Sequence, residues 1–210
     1  MINMVDEFII YDDVQFTKND WRNRNRIKTV QGVKWLTIPV YHSINQNIRE
    51  IKISDKNWNR KHWGSLMANY SKAKFFQNFK DQFEELFMSE TSVYLSEINC
   101  NFISFINSLL GINTKISRSS DYNLKGNRTE RLVGLCKQAG ASAYLSGPAA
   151  RNYLDVKLFE EENIQVNWMD YSGYPEYIQL HPPFEHSVSI IDMLFNLGSE
   201  TNGCMKSFNK

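Results

Sequence analysis

Apolar positions recur along the chain in two periods, and the change from one to the other predicts its elements. From Phe76 through Phe79, Phe83, Leu86 and Phe87 they stand three and four apart, with Lys80, Asp81, Glu84 and Glu85 between them. That spacing draws one apolar stripe along an α-helix. Leu95, Ile98, Phe102, Ile106 and Leu109 repeat it until Gly111 stops the helix. The two predict an antiparallel helical pair over about residues 74–111. Their phenylalanines read as core packing rather than ligand contacts. Residues 58–70 predict another helix, weakened by Gly64.

Shorter apolar runs bounded by turn residues predict strands at 8–14, 35–40, 48–53, 112–116, 143–145 and 164–168. Pro39 places the second of these near an edge, and Gly32 supplies the turn before it. Residues 1–5 read as the end of a helix. Asn127 with Glu130 three residues on is a capping-box variant that opens a helix burying Leu132, Leu135, Cys136 and Ala139 and ending at Gly140. Gly147-Pro148 predicts a further helix carrying Arg151, Tyr153 and Leu154, continued over 156–162. Residues 171–186 read as loop, and 189–195 as a last helix stopped by Gly198. Strand–helix alternation of this kind predicts an α/β layered fold with a largely parallel sheet and the helical pair inserted in its middle. With no repeat or linker, one domain over 1–210 is expected, fraying at 199–210.

Composition narrows this only a little. Hydrophobic residues at 42% and charged ones at 22% are ordinary for a globular protein, and 13% aromatics argue against disorder. A net charge of +1 gives no general attraction to nucleic acid or acidic membrane, so neither partner is expected. No apolar stretch reaches membrane-spanning length. Cys100, Cys136 and Cys204 are not spaced as a zinc or redox pair, which fits a soluble protein of a reducing cytoplasm.

Candidate chemistry concentrates near the start. The apolar run at 8–11 ends in Asp12-Asp13, and Trp21, Arg22, Asn23, Arg24, Asn25 and Arg26 follow closely. A strand that delivers acids to its C-terminal end, followed by an arginine-rich loop, is how open α/β sheets build sites. Arginine suits bidentate contact with phosphate or carboxylate, so an anionic small molecule is expected. In an extended segment Arg22, Arg24 and Arg26 would share one face and Asn23 and Asn25 the other. Three readings of the carboxylate pair stay open: ligands of a Mg²⁺ or Mn²⁺ ion, a general base, or a structural pair with nearby arginines. Ser146 lies on a strand-to-helix turn, but Tyr144 stands where a nucleophile elbow needs glycine. Ser146, Gly147 and Arg151 therefore read as an anion-binding turn, with an Arg151–Asp155 surface pair as the alternative. No two of the four histidines have metal-ligand spacing. His62, between Trp58 and Trp63, is either an acid/base of lowered pKa or a hydrogen-bonded structural group.

Five motifs in order resemble the WbqC-like family. They are Asp6-Glu7-Phe8-Ile9-Ile10-Tyr11-Asp12-Asp13-Val14-Gln15-Phe16 with Trp21-Arg22-Asn23-Arg24-Asn25-Arg26-Ile27; Trp35-Leu36-Thr37-Ile38-Pro39-Val40; Tyr144-Leu145-Ser146-Gly147; Tyr153-Leu154-Asp155; and Ser189-Ile190-Ile191-Asp192-Met193-Leu194-Phe195-Asn196-Leu197-Gly198. The resemblance implies a transferase of bacterial surface-polysaccharide (O-antigen, lipopolysaccharide) biosynthesis. Acyl or aminoacyl transfer to a nucleotide-activated amino sugar is among the proposals for the family. It also implies a Rossmann-like, nucleotidyltransferase-like sheet. On this reading Arg22, Arg24 and Arg26 hold phosphate, Asp12 or Asp13 is base or metal ligand, Gln15 and Asn25 orient sugar groups, and His62 is a reserve acid/base. The rivals are a non-catalytic sugar-nucleotide-binding or assembly subunit and a metal-dependent enzyme like the glycosyltransferases, whose acidic signature is Asp-x-Asp. Family members usually open with a further strand, loop and helix, and this sequence starts where that helix should be ending. A missing central strand is therefore expected, its exposed edges covered by self-association into a homo-oligomer.

Overall fold

The computed structural model describes residues 1–208. In chain order its elements are β1 (Glu7–Ile10), β2 (Arg24–Thr29), β3 (Gly32–Thr37), β4 (Val40–Tyr41), β5 (Lys52–Ile53), α1 (Trp58–Tyr70), α2 (Phe76–Ser89), α3 (Leu95–Leu110), β6 (Lys115–Arg118), α4 (Arg128–Gln138), β7 (Ala143–Ser146), α5 (Lys157–Glu160), β8 (Gln165–Trp168) and α6 (Ile190–Leu197). The class is α/β. Two compact units share the chain: Met1–Asp13 with Ile112–Gly173, and Val14–Gly111 with the residues from Tyr174 onward.

The first unit carries the parallel pairing. β1 runs beside β6, with Glu7 opposite Lys115 and Ile10 opposite Arg118, and β7 runs beside β8. The Glu7 carboxylate accepts from the Ser117 and Tyr122 hydroxyls and meets Lys115 Nζ at 3.1 Å. Those hydrogen bonds, Ser117 first, hold its pKa below the usual carboxylate range. α4 starts as its sequence predicts: Asn127 Oδ1 accepts from the Thr129 and Glu130 amides, and Glu130 Oε2 accepts from the Asn127 amide at 2.7 Å. Gly126 makes room for that box, since a Cβ there would lie 2.2 Å from Glu130 Oε2. Behind the helix, Val133, Cys136, Leu154, Phe159 and Ile164 form a core. Burial pushes the Cys136 thiol up to about 11, so it behaves as a small hydrophobe.

The second unit is helical, with antiparallel ribbons at its front. β2 and β3 form a hairpin with Arg26 opposite Trp35, and Gly32 takes φ +103° at its turn. β4 pairs with β5. The strand expected over 48–53 is shortened to β5, because Asn47 and Glu50 hydrogen-bond reciprocally and fold Ile48–Glu50 into a 3₁₀ turn. Residues 2–4 are likewise a 3₁₀ turn. α2 and α3 pack antiparallel, as their ring contacts show: Phe83 meets Phe105 at 5.1 Å, and four residues on Phe87 meets Phe102 at 5.0 Å. The chain after α6 differs from the expected fraying. Gly198–Cys204 is a 3₁₀ helix in which the Thr201 hydroxyl donates to Gly198 O at 2.7 Å and Asn202 reaches Leu110 O. Asn209 and Lys210 of that expected tail lie outside the described residues. Among the described residues no helix is long and apolar enough to cross a membrane.

Candidate functional site

In the first unit, Asp12 and Asp13 stand two and three residues beyond the end of β1 and are 4% and 7% exposed. Ser119, fully buried just beyond β6, puts its hydroxyl 3.2 Å from Asp12 Oδ1 and 3.0 Å from Asp13 Oδ2. One hydroxyl proton can serve only one carboxylate at a time. The guanidinium of Arg118 lies 3.9 Å from Asp12, and Arg131 Nη2 donates to Asp13 O at 3.3 Å. Arg118 and Arg131 are thus among the groups around these acids. A divalent cation would share its carboxylates with a guanidinium, so this donor set does not suit Mg²⁺. Among the described residues, no three or more His, Cys, Asp or Glu side chains group as metal ligands.

Ser146 ends β7, is 5% exposed, and hydrogen-bonds to the Tyr144 phenol, whose pKa is raised by burial and eased back by that bond. Gly147 leads into a five-residue 3₁₀ turn, Pro148–Asn152, where an α-helix was expected. A turn so short aligns few peptide dipoles, which weakens the expected anion-binding helix start. Arg151 lies over Trp168, 5.3 Å from the ring, while Asp155 caps the Lys157 amide instead of pairing with Arg151.

The remaining sequence candidates belong to the second unit, and β2 sorts them. Arg22 stands before the strand and pairs with Asp20. Asn23 is buried, donating to Ile38 O at 3.1 Å, and its Oδ1 has no partner. Arg24 and Arg26 alternate on one face, as strand geometry requires, but Arg22 does not extend the row. Arg26 donates to Ser187 O at 2.6 Å and approaches Glu185 at 3.7 Å. Arg24 meets a ring instead of a carboxylate: its Cζ lies 4.1 Å over Trp35, and its buried Nε has no hydrogen-bond partner. Trp21 is 60% exposed and its ring centre lies 5.0 Å from that of Trp35, with Arg26 at 5.6 Å from each. Asn25 is exposed and accepts from the Arg26 amide. Gln15, also exposed, bridges to Asn47.

His62, on α1, donates from Nε2 to Thr37 O at 3.0 Å and sits edge-on to Trp58. A carbonyl only accepts, so the proton is on Nε2. Burial lowers its pKa, the Thr37 bond acts upward, and Lys34 acts downward. The folded chain therefore resists a proton that the unfolded chain takes up below about pH 6.5. The contribution is intact above that pH and is lost as pH falls through the lowered value. His62→Gln is expected to flatten the fall in melting temperature between about pH 7 and pH 5. An unchanged slope would show that His62 is not held neutral.

Tyr11, Arg118, Ser119, Arg128 and Arg131 were not singled out by sequence reasoning. Their signal was positional: Arg118-Ser119 ends β6 much as Asp12-Asp13 follows β1, and Arg128 and Arg131 stand three apart at a predicted helix start. A cleft of about 390 Å³ in the second unit is lined by Phe75, Phe79, Leu109 and Leu194 among others, with no ionisable side chain.

The sequence pattern of the WbqC-like protein family matches residues 1–203. A relative from Mycobacterium tuberculosis (strain ATCC 25618 / H37Rv), described as uncharacterized protein Rv1507c, is 48% identical over 202 residues, 95% of this chain and 87% of its own length. No solved structure matches the chain.

Proposed function

Since the chain belongs to the WbqC-like protein family, we propose that it is a transferase of bacterial surface-polysaccharide biosynthesis, moving an acyl or aminoacyl group onto a nucleotide-activated amino sugar. The observation that carries this reading is the β2–β3 ribbon, where two exposed indoles lie beside Arg24 and Arg26. Indole faces receive the apolar face of a sugar or base, and a guanidinium whose Nε lacks a partner supports binding of its phosphate. Gln15 and Asn25 are exposed, as residues that orient sugar hydroxyls must be. In the transferase reading Asp12 or Asp13 is the general base that takes the amine proton as the new C–N bond forms and the bond to the activating group breaks. The three free cysteines fit a cytoplasmic location.

A binding-only subunit of the same pathway is the second reading, favoured by the engagement of both carboxylates with Ser119. Calorimetry against nucleotide-activated amino sugars, followed by mass detection of the acylated sugar in the presence of an acyl donor, tests both. Arg24→Ala is expected to weaken sugar-nucleotide binding about 10- to 100-fold, the equivalent of one hydrogen bond to a charged group. Asp12→Asn or Asp13→Asn should abolish transfer while leaving binding intact. Binding without any transfer in the unmodified chain would select the subunit reading, and binding indifferent to Arg24 would sink both.

A further inference from the structure

We propose that Arg128 and Arg131 form a second anion site, in the first unit, built for a ligand with two adjacent phosphates. The two side chains stand three apart in the opening turn of α4, so they rise from one face of the helix. The Arg128 guanidinium is seated against an aromatic ring, and that of Arg131 faces one at longer range. The Arg128 Cζ lies 3.7 Å from the centre of the Tyr153 ring, and the Arg131 Cζ lies 6.0 Å from that of Tyr11. Among the described residues, rings and one carbonyl take the place of carboxylate partners: Arg131 donates to Asp13 O at 3.3 Å, and its Nε is buried with no partner at all.

A buried donor on a cation is costly to leave unmade, and such an atom calls for a missing acceptor. A guanidinium stacked on a ring uses its face and keeps its N–H edge for an anion, which is the geometry of bidentate phosphate contact. Two such forks three residues apart on one helix face offer contacts to two neighbouring phosphates, where one orthophosphate would occupy a single fork. The helix dipole adds a favourable field. The amides of Thr129 and Glu130 are already taken by the Asn127 cap, so the guanidiniums must do the holding. Tyr11 directly follows β1, which puts the site at the carboxyl end of a parallel strand, where open α/β sheets take ligands. Both arginines also act on the Tyr11 phenol, opposing the rise that burial imposes on its pKa. Arg128 and Arg131 belong to the first unit and Arg24 and Arg26 to the second, and the transferase reading gives neither Arg128 nor Arg131 a role.

The test is calorimetry on the full chain with inorganic pyrophosphate, orthophosphate and a nucleoside diphosphate. Pyrophosphate is expected to bind the unmodified chain, with orthophosphate at least about tenfold weaker. Arg128→Ala and Arg131→Ala should each lose about tenfold or more in pyrophosphate affinity, with Arg24→Ala unchanged. Arg128 is exposed and holds no backbone, so Arg128→Ala keeps the test alive if Arg131→Ala fails to fold. Arg131→Lys, which keeps the charge but loses the fork, should fall between Arg131→Ala and the unmodified chain. Competition by the nucleoside diphosphate would make the natural ligand a nucleotide, and its absence would leave free pyrophosphate. No pyrophosphate binding at millimolar concentration, or affinity unchanged in Arg128→Ala and in every folded Arg131 variant, would overturn the site. Affinity lost in Arg24→Ala instead would place the anion on the ribbon and overturn it equally. If pyrophosphate binds as expected but nucleotide-activated amino sugars do not, the transferase reading fails and this site stands.

Discussion

Asp192→Ala is expected to cost about 3–5 kcal/mol of folding stability, a large part of what a domain has. Asp192 sits in the first turn of α6 and is 1% exposed. Its Oδ2 accepts from the Tyr70 hydroxyl at 2.7 Å. Its Oδ1 accepts from the Tyr177 hydroxyl at 2.7 Å, from Gln179 at 3.0 Å and from Asn196 at 3.2 Å. Tyr70 in turn accepts from the Lys28 amide, so one carboxylate ties α6 to the end of α1, to β2 and to the segment after Tyr174. Burial first, and the Asp192 charge second, raise the pKa of both tyrosines, so both stay hydroxyl donors at physiological pH. Alanine would leave these donors facing nothing, and each buried unsatisfied group costs about 1–3 kcal/mol. Asparagine does not rescue the site, because its NH₂ would point at a donor. In urea, with a slope of about 2 kcal/mol/M, the midpoint should fall by roughly 2 M. A fall worth under about 1 kcal/mol would mean water replaces the carboxylate. The same segment carries Glu185 and Ser187, which hold Arg26, so ligand binding on the ribbon should weaken alongside stability.

Phe195→Ala is expected to cost a similar amount, about 3–5 kcal/mol, by a different route. Phe195 is fully buried, with its ring centre 4.9 Å from Phe76, 5.1 Å from Phe83 and 5.5 Å from Tyr70. Removing it opens a cavity among rings from α1 and α2 that cannot all collapse inward. Phe195→Leu, which refills much of the space, should cost less than half as much. Chemical denaturation of the two variants checks the ordering, and equal losses would show that the ring contacts, not the filled volume, set the cost. Because Asp192 and Phe195 both touch Tyr70, the double variant should lose less than the sum of the single losses.

The sequence determined what depends on neighbours within a few residues. The three-and-four spacing of Phe76, Phe79, Phe83 and Phe87 made α2, Gly111 at φ +69° ended α3, and Asn127 with Glu130 opened α4. Each of these is decided by side chains close enough along the chain to touch in any compact state. The strand pattern at 48–53 is overruled for a related reason, since the reciprocal Asn47–Glu50 bonds are local and compete with an equally local strand pattern. Arginine partners were beyond such reading. Arg26 is claimed by Glu185 and Ser187, Asp12 by Ser119 and Arg118, and Tyr70 by Asp192, across separations of more than 100 residues. A hydrophobic stripe needs only to be buried somewhere, so its period shows in one dimension. A buried charge needs a particular partner at hydrogen-bond distance, and only the tertiary structure decides which one arrives.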